Sequence, residues 1–137
     1  MAMRTPVDVR LGGTISRMLD ALSEGFHAAL REQDLTPPLA MTLRLLDEPR
    51  SMRFLAEAHR CDASNITGLV DRLEGRGLVQ RRPDPNDRRV TLVERTREGD
   101  RIRQRLAMRA FDRLAGRQDL SATELATLVE LLERLIG

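Results

Sequence analysis

Residues 62–96, DASNITGLVDRLEGRGLVQRRPDPNDRRVTLVERT, change from a helical to a strand-like pattern within one short stretch. Apolar residues first recur at helical spacing, and Gly75 and Gly77 then provide a helix stop. From Leu78 onwards, two short runs with strand-like alternation flank residues 83–87, which are rich in Pro, Asp and Asn. The stretch therefore predicts a helix followed by a β-hairpin.

A short helix is predicted before this segment, with Ser51 as its N-cap. Only a tight turn at residues 60–62 separates it from the next helix, which either Asp62 or Ser64 can cap. Two short helices joined in this way are a helix-turn-helix candidate. The second helix of such a pair places its N-terminal half in the major groove of DNA. The residues expected to contact DNA there are Ser64, Asn65, Thr67, Gly68 and Arg72.

The side chains proposed to contact DNA suit that role, but three of them also have an ordinary structural explanation. Asn can bind adenine, Arg can bind guanine or phosphate, and hydroxyls suit bases or backbone oxygens, whereas glycine only permits close approach. Ser64 can instead cap the helix, and Thr67 can bond a preceding carbonyl. Arg72 can pair with Asp71 or Glu74. The DNA-binding interpretation therefore depends on the group as a whole.

The predicted hairpin indicates DNA binding independently. Asp87, Arg88 and Arg89 lie at its tip, and arginine on a narrow, extended element suits the electronegative minor groove. Arg81 and Arg82 lie nearby and are expected to contact phosphates by their charge. The alternative, a solvated turn without function, is disfavoured because four arginines flank one loop directly after a helix-turn-helix.

Two more helices are predicted ahead of the helix-turn-helix. Apolar residues at helical spacing indicate a long amphipathic helix over about residues 9–31. Thr36 then suits an N-cap with Pro37 at the first helical position, and this second helix is expected to continue until Pro49.

Two further helices are predicted after the hairpin. Thr96 caps a fifth helix that is expected to reach about Ala115. Ser121 and Glu124 form a capping-box pattern for a sixth. Its wide apolar stripe consists of Leu125, Leu128, Val129, Leu132, Leu135 and Ile136. Because so apolar a helix needs a partner surface, we expect the first, fifth and sixth helices to form an intertwined dimer with a second copy. Packing within one protomer is the alternative.

Composition agrees with a mainly α (α+β) fold of six helices with a two-stranded wing in one domain, residues 1–137. Hydrophobic residues make up 41% of the chain, with 3 Phe and no Trp or Tyr, which favours helices over a β-sandwich. The net charge is only +2, but residues 72–105 hold 11 Arg against 6 acidic residues. Residues 118–137 are acidic instead. The excess of positive charge in residues 72–105 indicates that this segment binds an anionic partner.

Several classes of protein are disfavoured. His27 and His59 lie in different predicted helices without a catalytic motif around either, so we expect neither an enzyme nor a cofactor. The single cysteine, Cys61, cannot form an intramolecular disulfide or a multi-cysteine zinc site, and we expect no metal. No signal peptide and no membrane-length apolar run is evident, so we expect a cytoplasmic location and no membrane partner.

Residues 62–96 resemble the recognition helix and wing of the MarR family of bacterial winged helix-turn-helix transcription regulators. The segment VDRLEGRGLVQRRPDPNDRR, residues 70–89, carries the resemblance most strongly, and the order of the flanking helices is similar over nearly the whole chain. By this resemblance, residues 35–96 form the DNA-binding lobe, and residues 8–33 and 97–137 form the dimerisation region.

The resemblance implies an obligate homodimer, most often a repressor, on pseudo-palindromic double-stranded promoter DNA. It implies recognition by the helix from Ser64 to Arg72 and wing contacts from Arg88 or Arg89, with Asp87 holding a wing arginine by a salt bridge. A protein-interaction module that has lost sequence-specific DNA binding is the competing hypothesis. Such a module has no need for the basic wing.

Many members of the family resemble one another in releasing DNA when an aromatic or lipophilic anion enters a cleft beside the DNA-binding lobe, but no effector-binding residue is assigned here. Six large apolar residues are candidates for the lining of such a cleft, and ordinary core packing is the alternative for each. They are Met18, Phe26, Met41, Phe54, Met108 and Phe111. Some members sense oxidants through a cysteine near the first helix. Cys61 stands instead where the family usually has Val, so we expect a buried, inert thiol.

Two residues depart from the family pattern. Arg60 stands where the family usually has Gly in the turn between the third and fourth helices, which predicts a wider or strained turn. Arg95 replaces a Leu at the end of the wing, which predicts the loss of one buried contact.

Overall fold

The structure is a computed structural model that describes residues 5–114 and 116–137. Within them lie six α-helices, three short strands and one turn of 3₁₀ helix. In chain order these elements are α1 (Pro6–Glu32), α2 (Pro37–Leu45), β1 (Arg50–Ser51), α3 (Met52–His59), α4 (Ala63–Gly75), β2 (Val79–Pro83), β3 (Thr91–Arg95), α5 (Arg97–Phe111), the 3₁₀ turn (Arg117–Asp119) and α6 (Ala122–Ile136). The prediction of a mainly α fold with six helices and a β-wing is confirmed.

The wing is part of a three-stranded antiparallel sheet of order β1-β3-β2. The expectation of two strands was therefore incomplete. β1 has only two residues, Arg50 opposite Val93 and Ser51 opposite Leu92, and so short a strand leaves no alternation in the sequence. Ser51 also accepts a hydrogen bond from the Phe54 amide as the N-cap of α3. The base of the wing is thereby joined to the start of the helix-turn-helix.

The predicted starts of five helices are confirmed by their caps. These N-caps are Thr36, Ser51, Asp62, Thr96 and Ser121. The start of α1 was predicted too late, because Thr5 caps this helix with Pro6 at its first position and Asp8 completes a capping box.

Two helices end earlier than predicted. α2 stops at Leu45 rather than continuing to Pro49, and Leu46 turns into the core. α5 ends at Phe111, and Ala115, its expected end, lies outside the described residues. After Phe111 the backbone tightens, with the Leu114 amide bonded to the Phe111 carbonyl at 3.0 Å. A bond over three residues belongs to a 3₁₀ turn, which replaces the last α-helical turn.

The core lies within residues 35–96 and beneath the α1–α5 crossing. Its side chains without measurable exposure are Leu43, Leu55, Ile66, Val70, Leu73, Val93 and Thr42. Three of them lie along one face of α4, against side chains of α2 and α3. Burying an aliphatic side chain of this size stabilises a fold by about 1.5–3 kcal/mol. The other face of α4 is consequently turned to solvent.

The first turn of α5 packs closely against the backbone of Leu78, which directly precedes β2. Gly99 lies so near the Leu78 carbonyl that a β-carbon there would collide with its oxygen. That oxygen accepts a hydrogen bond from the Thr96 amide, 3.1 Å away, and cannot easily move. Gly25 of α1 lies similarly close to the Ala110 carbonyl of α5. Both glycines are therefore required by packing rather than by backbone conformation.

A large apolar surface is left uncovered on α1, α5 and α6. α6 contains no buried residue, and Ile136 is 83% exposed. The exposed large apolar residues of α1, α5 and α6 are Val7, Val9, Leu11, Leu19, Met108, Phe111, Leu128, Val129, Leu131, Leu135 and Ile136. No helix among the described residues is long and apolar enough to cross a membrane.

Replacing Gly99 with alanine should lower the free energy of unfolding by about 1–3 kcal/mol, the usual range for overpacking. Urea denaturation followed by circular dichroism at constant protein concentration measures the change. Gly68→Ala is the matched control, because a β-carbon at Gly68 meets nothing within 4 Å and alanine is favoured in a helix by about 1 kcal/mol. An equal gain in stability from both substitutions would contradict the proposed collision.

Candidate nucleic-acid interface

The N-terminus of α4 is fixed by Asp62. One carboxylate oxygen of Asp62 accepts hydrogen bonds from the Asn65 amide at 2.9 Å and the Ser64 hydroxyl at 2.8 Å. The Asn65 and Ser64 bonds hold the pKa of Asp62 below its ordinary value. Of the two caps left open by the sequence, Asp62 is the one used, and Ser64 supports it.

The five predicted recognition residues are all exposed. They divide over two sides of α4. A groove of about 410 Å³ beside α2 is lined by Ser64, Asn65, Gly68 and Arg72. Thr67 lies on the opposite side, along a cleft of about 430 Å³ between α3 and α4. Four of the five residues thus share one continuous surface.

Local hydrogen bonds occupy two of these side chains in part. The Thr67 hydroxyl donates to the Ala63 carbonyl at 2.8 Å, and the Ser64 hydroxyl donates to Asp62. Each hydroxyl oxygen can still accept a hydrogen bond. Arg72 takes part in no salt bridge among the described residues, since Asp71 and Glu74 bind Arg81 instead. The guanidinium of Arg72 is therefore available to an anion.

Arg81 connects the wing to the recognition helix. Its two terminal nitrogens bind Asp71 and Glu74 at 2.7 Å each, and its side chain is only 24% exposed. Burial lowers the pKa of Arg81, but the hydrogen bonds to Asp71 and Glu74 outweigh burial and leave the pKa above its ordinary value. This geometry favours a bracing role for Arg81 over the predicted phosphate contact.

The neighbouring Arg82 is held within the sheet. Its Nε donates to Glu94 at 3.0 Å, and the other carboxylate oxygen of Glu94 accepts from Gln80 at 2.8 Å. The Gln80 bond and then the Arg82 bond hold the pKa of Glu94 below its ordinary value. Arg82 remains partly exposed and keeps donors for a phosphate.

The wing tip presents two arginines differently. The Asp87 carboxylate accepts from the Arg89 backbone amide and from its Nε, both at 3.1 Å. These bonds, the side-chain bond first, hold the pKa of Asp87 below its ordinary value. Arg89 is nevertheless 90% exposed, and Arg88 is exposed beside it. The salt bridge that the resemblance implied is made with Arg89.

Two structural arginines were not recognised from the sequence. Arg95 donates to the Leu43 carbonyl at 2.8 Å and to Asp100 at 2.7 Å, so the replacement of leucine there substitutes polar contacts for an apolar one. Arg76 donates to the carbonyls of Gln33 and Asp34 at 2.7 Å each. Three of the four acceptors are backbone carbonyls, which no residue type in the sequence indicates, and the fourth is the Asp100 carboxylate, five residues after Arg95.

A separate, largely apolar cavity of about 610 Å³ lies between α1, α2 and α5. Phe26 and Met41 line it, as the cleft hypothesis expected. Phe54, Met108 and Phe111 are exposed instead, so they belong neither to this lining nor to the core. Residues that add positive charge or hydrogen bonding to the lining are Arg44, Arg103 and His59.

His59 joins this cavity to the groove beside α4, because it lines both. Its Nε2 lies 2.9 Å from the buried Thr42 hydroxyl, which donates to the Pro38 carbonyl. Since the Thr42 hydroxyl already donates to Pro38, the protonated Nε2 of His59 donates this hydrogen bond and the Thr42 oxygen accepts it. Burial lowers the pKa of His59, which favours the neutral ring.

The expectation of a buried thiol was wrong in degree. Cys61 is half-buried and packs against the core while lining clefts on both sides of the helix-turn-helix. Its low reactivity stays a prediction. No group of three or more His, Cys, Asp or Glu side chains suited to a metal occurs within residues 5–114 and 116–137.

Comparison with known proteins identifies relatives of this chain. A sequence model described as the MarR family matches residues 35–91. The repressor NicR of Pseudomonas putida is 35% identical over 99 residues, covering 69% of this chain and 63% of NicR. The multiple antibiotic resistance protein MarR of Salmonella typhimurium is 35% identical over 77 residues, covering 55% of this chain and 54% of that protein. The matched stretches thus span little more than half of these two relatives.

Solved structures extend the similarity to nearly the full chain. CouR from Rhodococcus jostii, bound to p-coumaroyl-CoA, is 32% identical with a TM-score of 0.60 and covers 91% of this chain and 90% of CouR. A mutant of Escherichia coli MarR complexed with operator DNA is 26% identical with a TM-score of 0.61 and covers 94% of this chain and 95% of that one.

Replacing Arg81 with methionine should lower the free energy of unfolding by about 1 kcal/mol, because it leaves Asp71 and Glu74 without their cation. The salt dependence of binding to random duplex DNA should stay the same, since carboxylates already neutralise this guanidinium. Fluorescence anisotropy at several salt concentrations measures that slope. A slope reduced by about 1 at unchanged stability would instead restore the predicted phosphate contact.

Proposed function

Since this chain belongs to the MarR family of transcription regulators, we propose that it binds pseudo-palindromic promoter DNA as a homodimer and represses transcription. The main support for this proposal is that α4 has one fully buried face and one exposed polar face. Ile66, Val70 and Leu73 bury one face of α4 completely, and the opposite face carries Asn65 and Arg72 into solvent. Asparagine and arginine are the side chains best suited to read adenine and guanine in the major groove.

The wing supports a second contact with the same DNA. Arg88 and Arg89 are exposed at the hairpin tip, and Asp87 restricts Arg89 to a narrow range of positions. An arginine that is already oriented loses less entropy when it enters a minor groove. We therefore assign groove contacts to Ser64, Asn65, Thr67 and Arg72 of α4, with Gly68 permitting close approach. We assign minor-groove contacts to the wing tip and a phosphate contact to Arg82.

The uncovered helices support the homodimer. α6 buries no side chain in the single protomer, although half of its length is apolar. Contiguous apolar surface of this kind normally covers a partner surface. A second copy is the natural partner, because a two-fold dimer brings two α4 helices to the two halves of a palindrome.

The cavity between α1, α2 and α5 supports regulation by a small molecule. Its apolar lining suits an aromatic or lipophilic body, and the exposed Arg44 and Arg103 at its walls suit an anionic group. CouR, which is 32% identical to this chain, was crystallised with p-coumaroyl-CoA. We propose an aromatic or lipophilic anion as the effector that releases DNA.

Selection of bound sequences from a random duplex pool tests this function. The purified protein is used at moderate salt, alone and with p-coumarate, p-coumaroyl-CoA or coenzyme A. Enrichment of an inverted repeat with half-sites about one helical turn apart supports a dimeric regulator. No enrichment over random DNA would favour a protein-interaction module instead, and enrichment that none of the three compounds reverses would remove these as effectors.

Replacing Arg88 or Arg89 with alanine should weaken operator binding by about 1–3 kcal/mol while the protein stays folded and dimeric, because each variant loses one groove contact. Titration of the selected operator by fluorescence anisotropy measures the loss. Arg101→Ala is the matched control, since Arg101 is an exposed arginine of α5 that pairs with Glu98 on the same helix. Operator affinity that is unchanged in both wing variants would exclude the wing from recognition.

Replacing Leu128 and Leu135 together with aspartate should produce a monomer, because both are exposed on one side of α6 and lie seven residues apart. Sedimentation velocity measures the mass, and operator affinity should fall by at least tenfold when the two recognition helices are separated. Glu130→Gln, on the same helix, serves as the control. A dimer that persists in the double variant would place the interface elsewhere.

A further inference from the structure

The turn between α3 and α4 contains an arginine in a conformation that favours glycine. Arg60 has φ 52° and ψ 42°, which lies in the left-handed helical region. The amides of Arg60 and Cys61 bond back to the carbonyls of Glu57 and Ala56, both at 3.1 Å, and thus fix this geometry. A residue with a β-carbon is disfavoured there, by about 1–2 kcal/mol for a typical one. The strained turn predicted from the sequence is therefore present, and it remains tight.

The side chain of Arg60 is exposed and electrically uncompensated. None of the salt bridges among the described residues includes Arg60, whereas its neighbour Arg53 is paired with Glu57 at 3.0 Å. Arg60 lines the cleft between α3 and α4 together with Ala63 and Thr67. A free guanidinium is thus held next to the first turn of α4, on the side of the helix where Thr67 is exposed.

We propose that Arg60 is an additional DNA contact, which binds a backbone phosphate beside the recognition helix. This inference rests on the proposed DNA-binding function and adds a residue to its interface. Strained backbone conformations are commonly found at functional sites. Glycine would relieve the strain at this position, and no packing would be lost because the Arg60 side chain is exposed. Arginine adds one thing that glycine lacks, which is a positive charge at the edge of the proposed DNA-binding surface.

The site is suited to phosphate rather than to a base. Arg60 belongs to the turn and not to α4, so its side chain starts outside the helix that enters the groove. A guanidinium binds phosphate oxygens with two parallel hydrogen bonds and carries no sequence preference when it does so. Arg60 should therefore strengthen binding to operator and random duplex DNA by the same factor.

The test is a pair of measurements on Arg60→Gly that should change in opposite directions. The midpoint of urea denaturation should rise by about 0.5 M at matched protein concentration, because the strain is relieved. Affinity for the selected operator should fall about tenfold, and the slope of log affinity against log salt should shrink by about 1. Affinity for random duplex should fall equally.

Two further variants separate charge from conformation. Arg60→Lys keeps the charge and should retain the salt slope of the natural sequence. Asp34→Gly relieves the strain at a second left-handed non-glycine residue of the described chain, which has φ 50° and follows α1. It should raise the urea midpoint without lowering DNA affinity.

The outcomes distinguish this inference from the proposed function. If the unaltered protein binds its selected operator and Arg60→Gly keeps both its affinity and its salt slope, the phosphate contact is wrong while the function stands. If the unaltered protein selects no operator, the proposed function itself fails. A loss confined to operator DNA, with random duplex unaffected, would replace the phosphate contact by base recognition.

Discussion

The orientation of the recognition helix depends on the burial of three aliphatic side chains. Ile66, Val70 and Leu73 have no measurable exposure, and they belong to one core cluster with side chains from α2, α3 and the sheet. A rotation of α4 by a fraction of a turn would expose apolar surface and bury polar groups, both of which are costly. The side chains on the opposite face of α4 are therefore turned outward by the burial of these three.

Around this helix, arginines serve two different purposes that net charge does not distinguish. Residues 72–105 contain 11 arginines, yet Arg76, Arg81 and Arg95 are committed to carbonyls or carboxylates of the same chain. The planar guanidinium suits this task, because it can satisfy two acceptors at once where an ammonium group supplies a single point charge. Fewer guanidinium groups are consequently free to bind DNA than the count of arginines implies.

The sequence predicted the helices well because their starts have local chemical causes. A side chain such as Asp62 or Ser121 satisfies free amides only three residues away, so the sequence alone contains the whole interaction. The end of α5 and the strand β1 were not predicted, because one depends on a gradual change to a tighter turn and the other on a strand distant in sequence. For the candidate interface, the sequence identified which residues are exposed on α4 but not that Arg81 is braced by Asp71 and Glu74.

Arg76 has a mechanical consequence for the molecule. Its guanidinium joins the residue that follows α4 to the two carbonyls that follow α1, at 2.7 Å each. Two short parallel bonds of this kind resist both stretching and twisting. The end of α1 and the end of α4 are therefore joined by one side chain. A change in the tilt of α1 at this point breaks or bends both bonds unless α4 moves with it, so the two helices are coupled through Arg76 although residues 33–62 of the chain lie between them.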